Sequence, residues 1–237
     1  MNYAFAMAIV SLLIIIHEAG HFIAAIRAGI PIACFSVGIG PKLFGLHWKG
    51  TEYRLSLIPL GGYVSPAIEN EKDYFAVGFK KRLALSLGGP LANIVIAPPL
   101  FALIAAIHGE VSTYSLLAAP FIKTYDMLAN IVFSIAGLFA GQGELSSVVG
   151  AVAAGGHFIG MGMAGALEFT VAITLNLAIF NLLPLPPLDG GKIVLDTLER
   201  AQPKLMKIYL PACVCGWILM FGLMAYATVG DIQRLTA

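Results

Sequence analysis

Residues Tyr3 to Ile16 carry no charge, and that run leads directly into His-Glu-Ala-Gly-His at positions 17 to 21. An apolar stretch of this kind, continuing to about residue 26, reads as a membrane-spanning helix, because a hydrocarbon core about 30 Å thick takes about 20 apolar residues to cross. It has neither a basic leading region nor a small-residue cleavage site, so a retained span is expected rather than a signal peptide. At about 1.5 Å per residue, His17 is reached after about 20 Å of helix. Two histidines and a carboxylate therefore lie within the bilayer, where ionisable side chains are costly and mark functional sites.

Positions four apart on a helix differ by about 40° in direction and about 6 Å in rise, so His17 and His21 project from one face and can share one metal ion. Glu18, beside the first of them, is placed to take a proton from an attacking water. Zinc, held by three protein ligands with a fourth position open, is the usual occupant of such a site. The structural alternative makes the histidines packing residues, with Glu18 bonded to a neighbouring helix. Lipid penalises that alternative, since an unpaired polar group finds no water there.

Hydrophobic residues make up 59% of the chain and charged residues 11%, with a mean hydropathy of +0.87. Soluble domains carry about a quarter charged residues, so this balance belongs to a membrane protein. Four stretches are long enough to span, at about 3–26, 84–108, 161–184 and 208–229. Arg27, Lys42, Lys49, Arg54, Lys72, Lys80, Lys81 and Arg82 fall between the first and second, and Lys192, Arg200, Lys204 and Lys207 between the third and fourth. The interval between the second and third has only Lys123. The positive-inside rule then places both termini outside and the two basic loops in the cytoplasm. His17 to His21 would lie about 10 Å from the cytoplasmic face. Nothing in the charge distribution suggests a nucleic-acid partner.

A third metal ligand is expected at similar depth on another span. The third span ends in Asn176-Leu-Ala-Ile-Phe-Asn181-Leu-Leu-Pro184-Leu-Pro186-Pro187-Leu-Asp189-Gly190-Gly191. Its prolines interrupt the helix and its glycines allow a sharp turn. Irregular backbone at membrane depth is tolerated where it lines a protein or water-filled cavity, which suits a carboxylate reaching back towards a metal. Asp189 reads equally well as the N-cap of a helix from about Gly191 to Glu199.

Taken together, HExxH in the first span and Asn-x-x-Pro-x-Pro-x-Leu-Asp-Gly-Gly near the end of a later one resemble the site-2 protease family of intramembrane zinc metalloproteases. Phe35-Ser-Val-Gly-Ile-Gly-Pro41, Ile58-Pro-Leu-Gly-Gly-Tyr-Val64 and Gly89-Pro-Leu-Ala-Asn93 are similar to segments of its bacterial branch, which includes the regulator-of-sigma-E protease. The resemblance covers nearly the whole chain. It implies that His17, His21 and Asp189 bind Zn2+, that Glu18 is the general base, and that Asn181 and Pro184 contact the substrate strand. One departure is plain. The sigma-E-type proteases carry PDZ domains between the second and third spans, whereas the interval from about Gly109 to Gly160 is too short and apolar for one. It reads as an amphipathic or interfacial helix, about 114–140, followed by a glycine-rich stretch.

The interval from Gly29 to Asp73 has a different period. Thr51-Glu-Tyr-Arg-Leu-Ser-Leu-Ile alternates partway, and with the segment before it predicts a β-hairpin or small sheet over about 33–64, turning at Lys49-Gly50. Such a sheet, with Gly61 and Gly62 near the active site, could offer an edge to an unwound substrate. It could equally plug the cytoplasmic side. Gly88 and Gly89 permit close helix approach, and Asn93 could either pack or hydrogen-bond to the site. Cys34, Cys213 and Cys215 read as packing residues. His47, His108 and His157 have no ligand spacing. Glu168 is expected at the external end of its span.

The expected protein is an all-α polytopic membrane protein of about four spans with a small β element, a single domain over 1–237. Its expected activity is hydrolysis of a peptide bond within or near the transmembrane helix of a single-span membrane protein, such as an anti-sigma factor or a signal-peptide remnant. The resemblance puts it in a bacterial inner membrane. A metal transporter would show ligands along a path and repeated halves, whereas here they converge on one point. A non-catalytic relative would have lost one of His17, Glu18, His21 and Asp189, and all four are present.

Overall fold

In a computed structural model, residues 2–68, 71–139, 147–202 and 206–236 are described. Helix α1 (Asn2–Ala28) carries the His-Glu-Ala-Gly-His pentapeptide in its second half. It stops at Gly29, where φ is 67°. The Ile30 N–H then donates to Ala25 O at 2.9 Å and the Gly29 N–H to Ile26 O at 3.1 Å. This two-bond arrest requires a residue that tolerates the left-handed region.

Strands β1 (Ile32–Trp48) and β2 (Thr51–Pro66) form an antiparallel sheet, so the β element expected at 33–64 is present. Lys49 and Gly50 make the turn with φ of 49° and 84°, the pairing that matches the twist of a tight hairpin. Both strands bend. Phe35 therefore lies opposite Val64 on one side and Tyr53 on the other. The segment 34–37 is in the middle of the sheet, and the segment 62–66 forms its outer edge. Ile32, Cys34 and Ser36 are buried at the base, whereas Leu43, Phe44, Leu46 and Trp48 stand exposed at the far end.

The remaining elements are helical: α2 (Glu71–Ala76), α3 (Phe79–Ile107), a π-helical turn (Tyr114–Ala118) running into α4 (Ala119–Phe139), α5 (Val148–Gly160), α6 (Met163–Asn181), α7 (Asp189–Ala201) and α8 (Met206–Thr236). Among the described residues, five helices are long and apolar enough to cross a membrane: Asn2–Ala28, Phe79–Ile107, Tyr114–Gly137, Met163–Asn181 and Leu210–Arg234. All four expected spans are among them. The fifth corrects the count, because the segment expected as interfacial, about 114–140, has spanning length. Its charges, Lys123 and Asp126, are three apart and fall on one exposed stripe, which gave the sequence its amphipathic look without shortening the apolar run. Of the glycine-rich stretch expected after it, the part up to Gly160 forms α5, whereas residues 141–146, like Lys204, lie outside the described residues.

Close backbone contact holds the bundle together. A Cβ on Gly20 would lie 2.6 Å from Ala92 Cβ, and one on Gly88 would lie 2.6 Å from Gly20 O and 2.7 Å from Ala24 Cβ. Two glycines facing each other thus bring α1 and α3 into contact, the small-residue packing expected of membrane helices. Helix α5 lies on the first half of α1, where a Cβ on Gly155 would lie 2.8 Å from Ala6 Cβ. Ala97, Ile104, Ile131, Val171 and Leu175 join α3, α4 and α6 in one buried cluster. Outward-facing residues such as Val95, Phe133 and Ile218 are two-thirds or more exposed. That suits lipid, where apolar side chains need no cover.

Candidate active site

His17 and His21 are buried on the face of α1 turned towards α3 and α7. Their Nε2 atoms are 3.1 Å apart. Asp189 arrives from the far end of the chain, 172 residues beyond His17. The proline-rich turn after α6 folds back so tightly that a Cβ on Gly191 would lie 2.5 Å from Pro186 N. A Cβ on Gly190 would collide with Leu182 O. The two glycines therefore let Asp189 open α7 against the turn, with its Oδ2 3.2 Å from His17 Nε2 and 3.0 Å from His21 Nε2. Among the described residues this is the one group of three or more acidic, histidine or cysteine side chains close enough to share a metal ion.

These atoms suit zinc. Two imidazole nitrogens and a carboxylate oxygen are ordinary zinc donors, and a tetrahedron with arms of about 2.0–2.1 Å has edges of roughly 3.3 Å. The observed triangle has edges of 3.0, 3.1 and 3.2 Å. The surrounding hydrogen bonds agree. His21 Nδ1 lies 2.7 Å from Leu85 O, a contact that only an N–H can make, so its Nε2 is left with a lone pair. Asn93, fully buried, lies with its amide 3.3 Å from His17 Nδ1, while its Oδ1 has no hydrogen-bond partner among the described residues. A half turn of that amide would offer Oδ1 to an Nδ1–H and turn its NH2 to the other side. It would also leave His17 Nε2 unprotonated, the arrangement of metal-binding histidines. Lys192 Nζ lies 3.1 Å from the other Asp189 oxygen, Oδ1. Gly89 closes the back of the site. A Cβ there would lie 2.6 Å from His17 Nε2 and as near again to that of His21.

The three donors and Glu18 open onto a cavity of about 750 Å3. Segment 63–66 of β2 forms one wall, and Tyr74, Phe75, Trp217 and Met220 line it with large apolar surfaces. Gly62 sits beside Glu18, since a Cβ on it would lie 3.1 Å from Glu18 Cγ. Gly61 has a φ of 132° and contacts Ile39 rather than the cavity. Asn181 lines the cavity, with its amide donating to Leu177 O at 2.9 Å. Pro184 is exposed in the turn and shapes the backbone rather than the cavity wall. Asn93 packs and hydrogen-bonds at once. Sequence reasoning missed Leu85, Lys192 and the buried Arg82. Lys192 alone left a trace, three residues after Asp189 on a helix.

Residues 4–223 match the model of peptidase family M50. Three curated relatives carry the name "Putative zinc metalloprotease". The protein from Treponema pallidum is 35% identical over 138 residues, which cover 52% of this chain and 30% of that one. The protein from Campylobacter jejuni is 39% identical over 99 residues, 38% of this chain and 27% of its own. The chain thus spans less than a third of the length of these two relatives. The protein from Clostridium perfringens is 24% identical over an alignment of 330 positions covering 98% of both chains. That alignment is longer than the 237 residues here, so the relative carries residues with no counterpart in this chain. With a family match over nearly its whole length, and a zinc-type donor triangle on a helix of spanning length, the chain belongs to peptidase family M50, the site-2 protease family of membrane metalloproteases.

Proposed function

We propose that the protein hydrolyses a peptide bond within or near the transmembrane helix of a single-span membrane protein, with His17, His21 and Asp189 holding the zinc ion. One observation carries this reading: the donor triangle and Glu18 share a large cavity with an outer β segment. A bound zinc ion supplies Lewis acidity and brings the pKa of water down to about 7. Glu18 takes the proton of the attacking water on its carboxylate as the water oxygen bonds to the scissile carbonyl carbon. When the C–N bond breaks, Glu18 gives that proton to the leaving amine nitrogen. His21 is oriented by Leu85 O and His17 by Asn93, so neither ring rotates during turnover.

A peptide bond in an intact helix is shielded, so the substrate must present an extended segment. Segment 62–66 pairs with 32–37 on one side, and residues 63–66 line the cavity. Strand addition there would use the substrate's own backbone groups and lay it beside the donors. Gly62, with no side chain to intervene, is where that strand would pass nearest Glu18, and Asn181 would face it across the cavity.

The basic loops support a cytoplasmic opening with both termini outside. Five spanning helices alone would leave the termini on opposite faces. The apolar α5, with Gly155 near Ala6 and Gly160 near Asn2, has 13 residues and is shorter than a span, so both termini lie outside only if it serves as a further, short crossing. An anti-sigma factor or a signal-peptide remnant in a bacterial inner membrane is the class of partner in view.

The test pairs metal content with cleavage. Wild type and Glu18→Gln are purified in detergent without chelator, and both are offered fluorogenic single-span substrates. Zinc near one per chain in both, with cleavage by the wild type alone, is the expected result. A wild type without zinc would sink this reading, and zinc with no cleavage by either would refute the protease assignment for those substrates.

A further inference from the structure

Arg82 follows Lys80 and Lys81 at the start of the second span, among the basic residues that the positive-inside rule places at the cytoplasmic face. Both lysines are exposed, but Arg82 is only 2% exposed and points into the protein. Its Nη2 donates to Glu199 Oε2 at 2.7 Å, and its Nη1 lies 3.7 Å from Asp196 Oδ1. Its guanidinium stands 4.7 Å from the Phe75 ring centre and 5.3 Å from that of Tyr74, whose hydroxyl donates to Asp196 Oδ2 at 3.2 Å. One cation thus ties together α2, α3 and α7. Asp196 is wholly buried, and burial pushes its carboxyl up from the ordinary value. Buried charge of this kind is a poor source of net stability, because desolvation offsets the attraction. Another reason for its presence is needed.

The spacing supplies one. On α3, Arg82 precedes Gly89, which backs the donor triangle, by seven residues. Between them lies Leu85, whose carbonyl accepts from His21. On α7, Asp196 follows Asp189 by the same seven residues. Seven residues are close to two full turns, about 10 Å, so on each helix the ion cluster and the metal site occupy one face. The two helices run antiparallel and touch at two points: the triangle, and the cluster two turns away. A single contact would leave α7 free to pivot about its first residue, and that residue is Asp189. A third contact, Arg200 at 4.9 Å from the Phe79 ring, extends the second point.

We propose that Arg82 is a positioning residue, which through Glu199 and Asp196 sets the angle of α7 and so keeps Asp189 Oδ2 beside both histidine Nε2 atoms. This rests on the zinc-site reading above. The test uses Co2+ as the probe in the full chain in detergent, following its visible absorption and its dissociation constant against a chelator. Arg82→Met should weaken Co2+ at least about tenfold, the lower end of what loss of outer support costs a metal site, and should change the shape of the absorption band. Glu199→Gln, which leaves Arg82 in place, should do the same more mildly. Exchanging the charges, Arg82→Glu with Glu199→Arg, should recover part of the loss, which a general packing defect would not allow. Circular dichroism identifies the variants that fold, and if Arg82→Met does not, Glu199→Gln decides. Wild-type affinity and band shape in the folded variants would overturn the proposal. Asp189→Asn in the same titration separates the two ideas: wild-type binding there would remove the ligand assignment itself, whereas weakened binding there with intact binding in the clamp variants removes only the role of Arg82.

Discussion

Gly89→Ala places one methyl group behind the donor triangle, and its effect can be worked out from distances. The new carbon would lie 2.6 Å from His17 Nε2, where ordinary contact begins near 3.4 Å, so something must yield by about 0.8 Å. Helix α3 cannot simply retreat, because Gly88 and Gly20 already hold it against α1 one residue away. The histidines must move instead, and a metal site tolerates about 0.2 Å in its ligand distances. Overpacking of this kind costs about 1–3 kcal/mol. At about 1.4 kcal/mol per factor of ten, zinc affinity should fall by roughly 5- to 150-fold. The assay is zinc competition with a calibrated chelator, alongside Gly78→Ala as control. Gly78 caps the start of the same helix with nothing within 4 Å of its added carbon, so its variant should bind as the wild type does. Wild-type affinity in Gly89→Ala would refute the placement of α3 behind the triangle.

Three further outcomes are expected. Asn93→Ala removes the support of His17 Nδ1 and should weaken zinc about 10- to 100-fold in the same competition; an unchanged constant would show that His17 needs no such partner. Gly62→Ala puts a carbon 2.8 Å from Ser36 O and 3.1 Å from Glu18 Cγ, and should slow cleavage while zinc content holds at one per chain, whereas loss of zinc would place the strand against the metal ligands instead. The hydrogen bonds from Lys42 and Arg54 hold the Glu52 carboxyl at about 2, below its ordinary 4.5. Its contribution to the hairpin is therefore complete above about pH 4.5 and fades as pH falls towards 2. Fluorescence of Trp48 at the hairpin tip should report no transition between pH 5 and 8, and a midpoint near 4.5 that Glu52→Gln abolishes would contradict those pairings.

Much of the site was legible in the sequence because its signals are local. His17, Glu18 and His21 sit within one helical turn and a half, and that periodicity alone puts both rings on one face. Lys49-Gly50 announced a tight turn by its chemistry, and the apolar runs announced spans by their length. The segment after residue 114 is of spanning length, and a pair of charges three apart gives it an amphipathic stripe without shortening its apolar run.

What the chain could not disclose is long-range. Asp189 could have been a helix cap or a ligand, and it does open α7. Only the fold of the proline turn, with Gly190 and Gly191 against Leu182 and Pro186, carries its Oδ2 to 3.0 Å from His21. Asn93 acquired its partner because two glycines let α3 approach α1. Arg82 looks like any basic residue at a membrane boundary until α7 brings Asp196 and Glu199 to it from more than a hundred residues away. Residue type and local period settle which groups are capable of the chemistry. Backbone approach between distant helices settles which of them meet, and that depends on glycines whose missing side chains leave no chemical signature of their own.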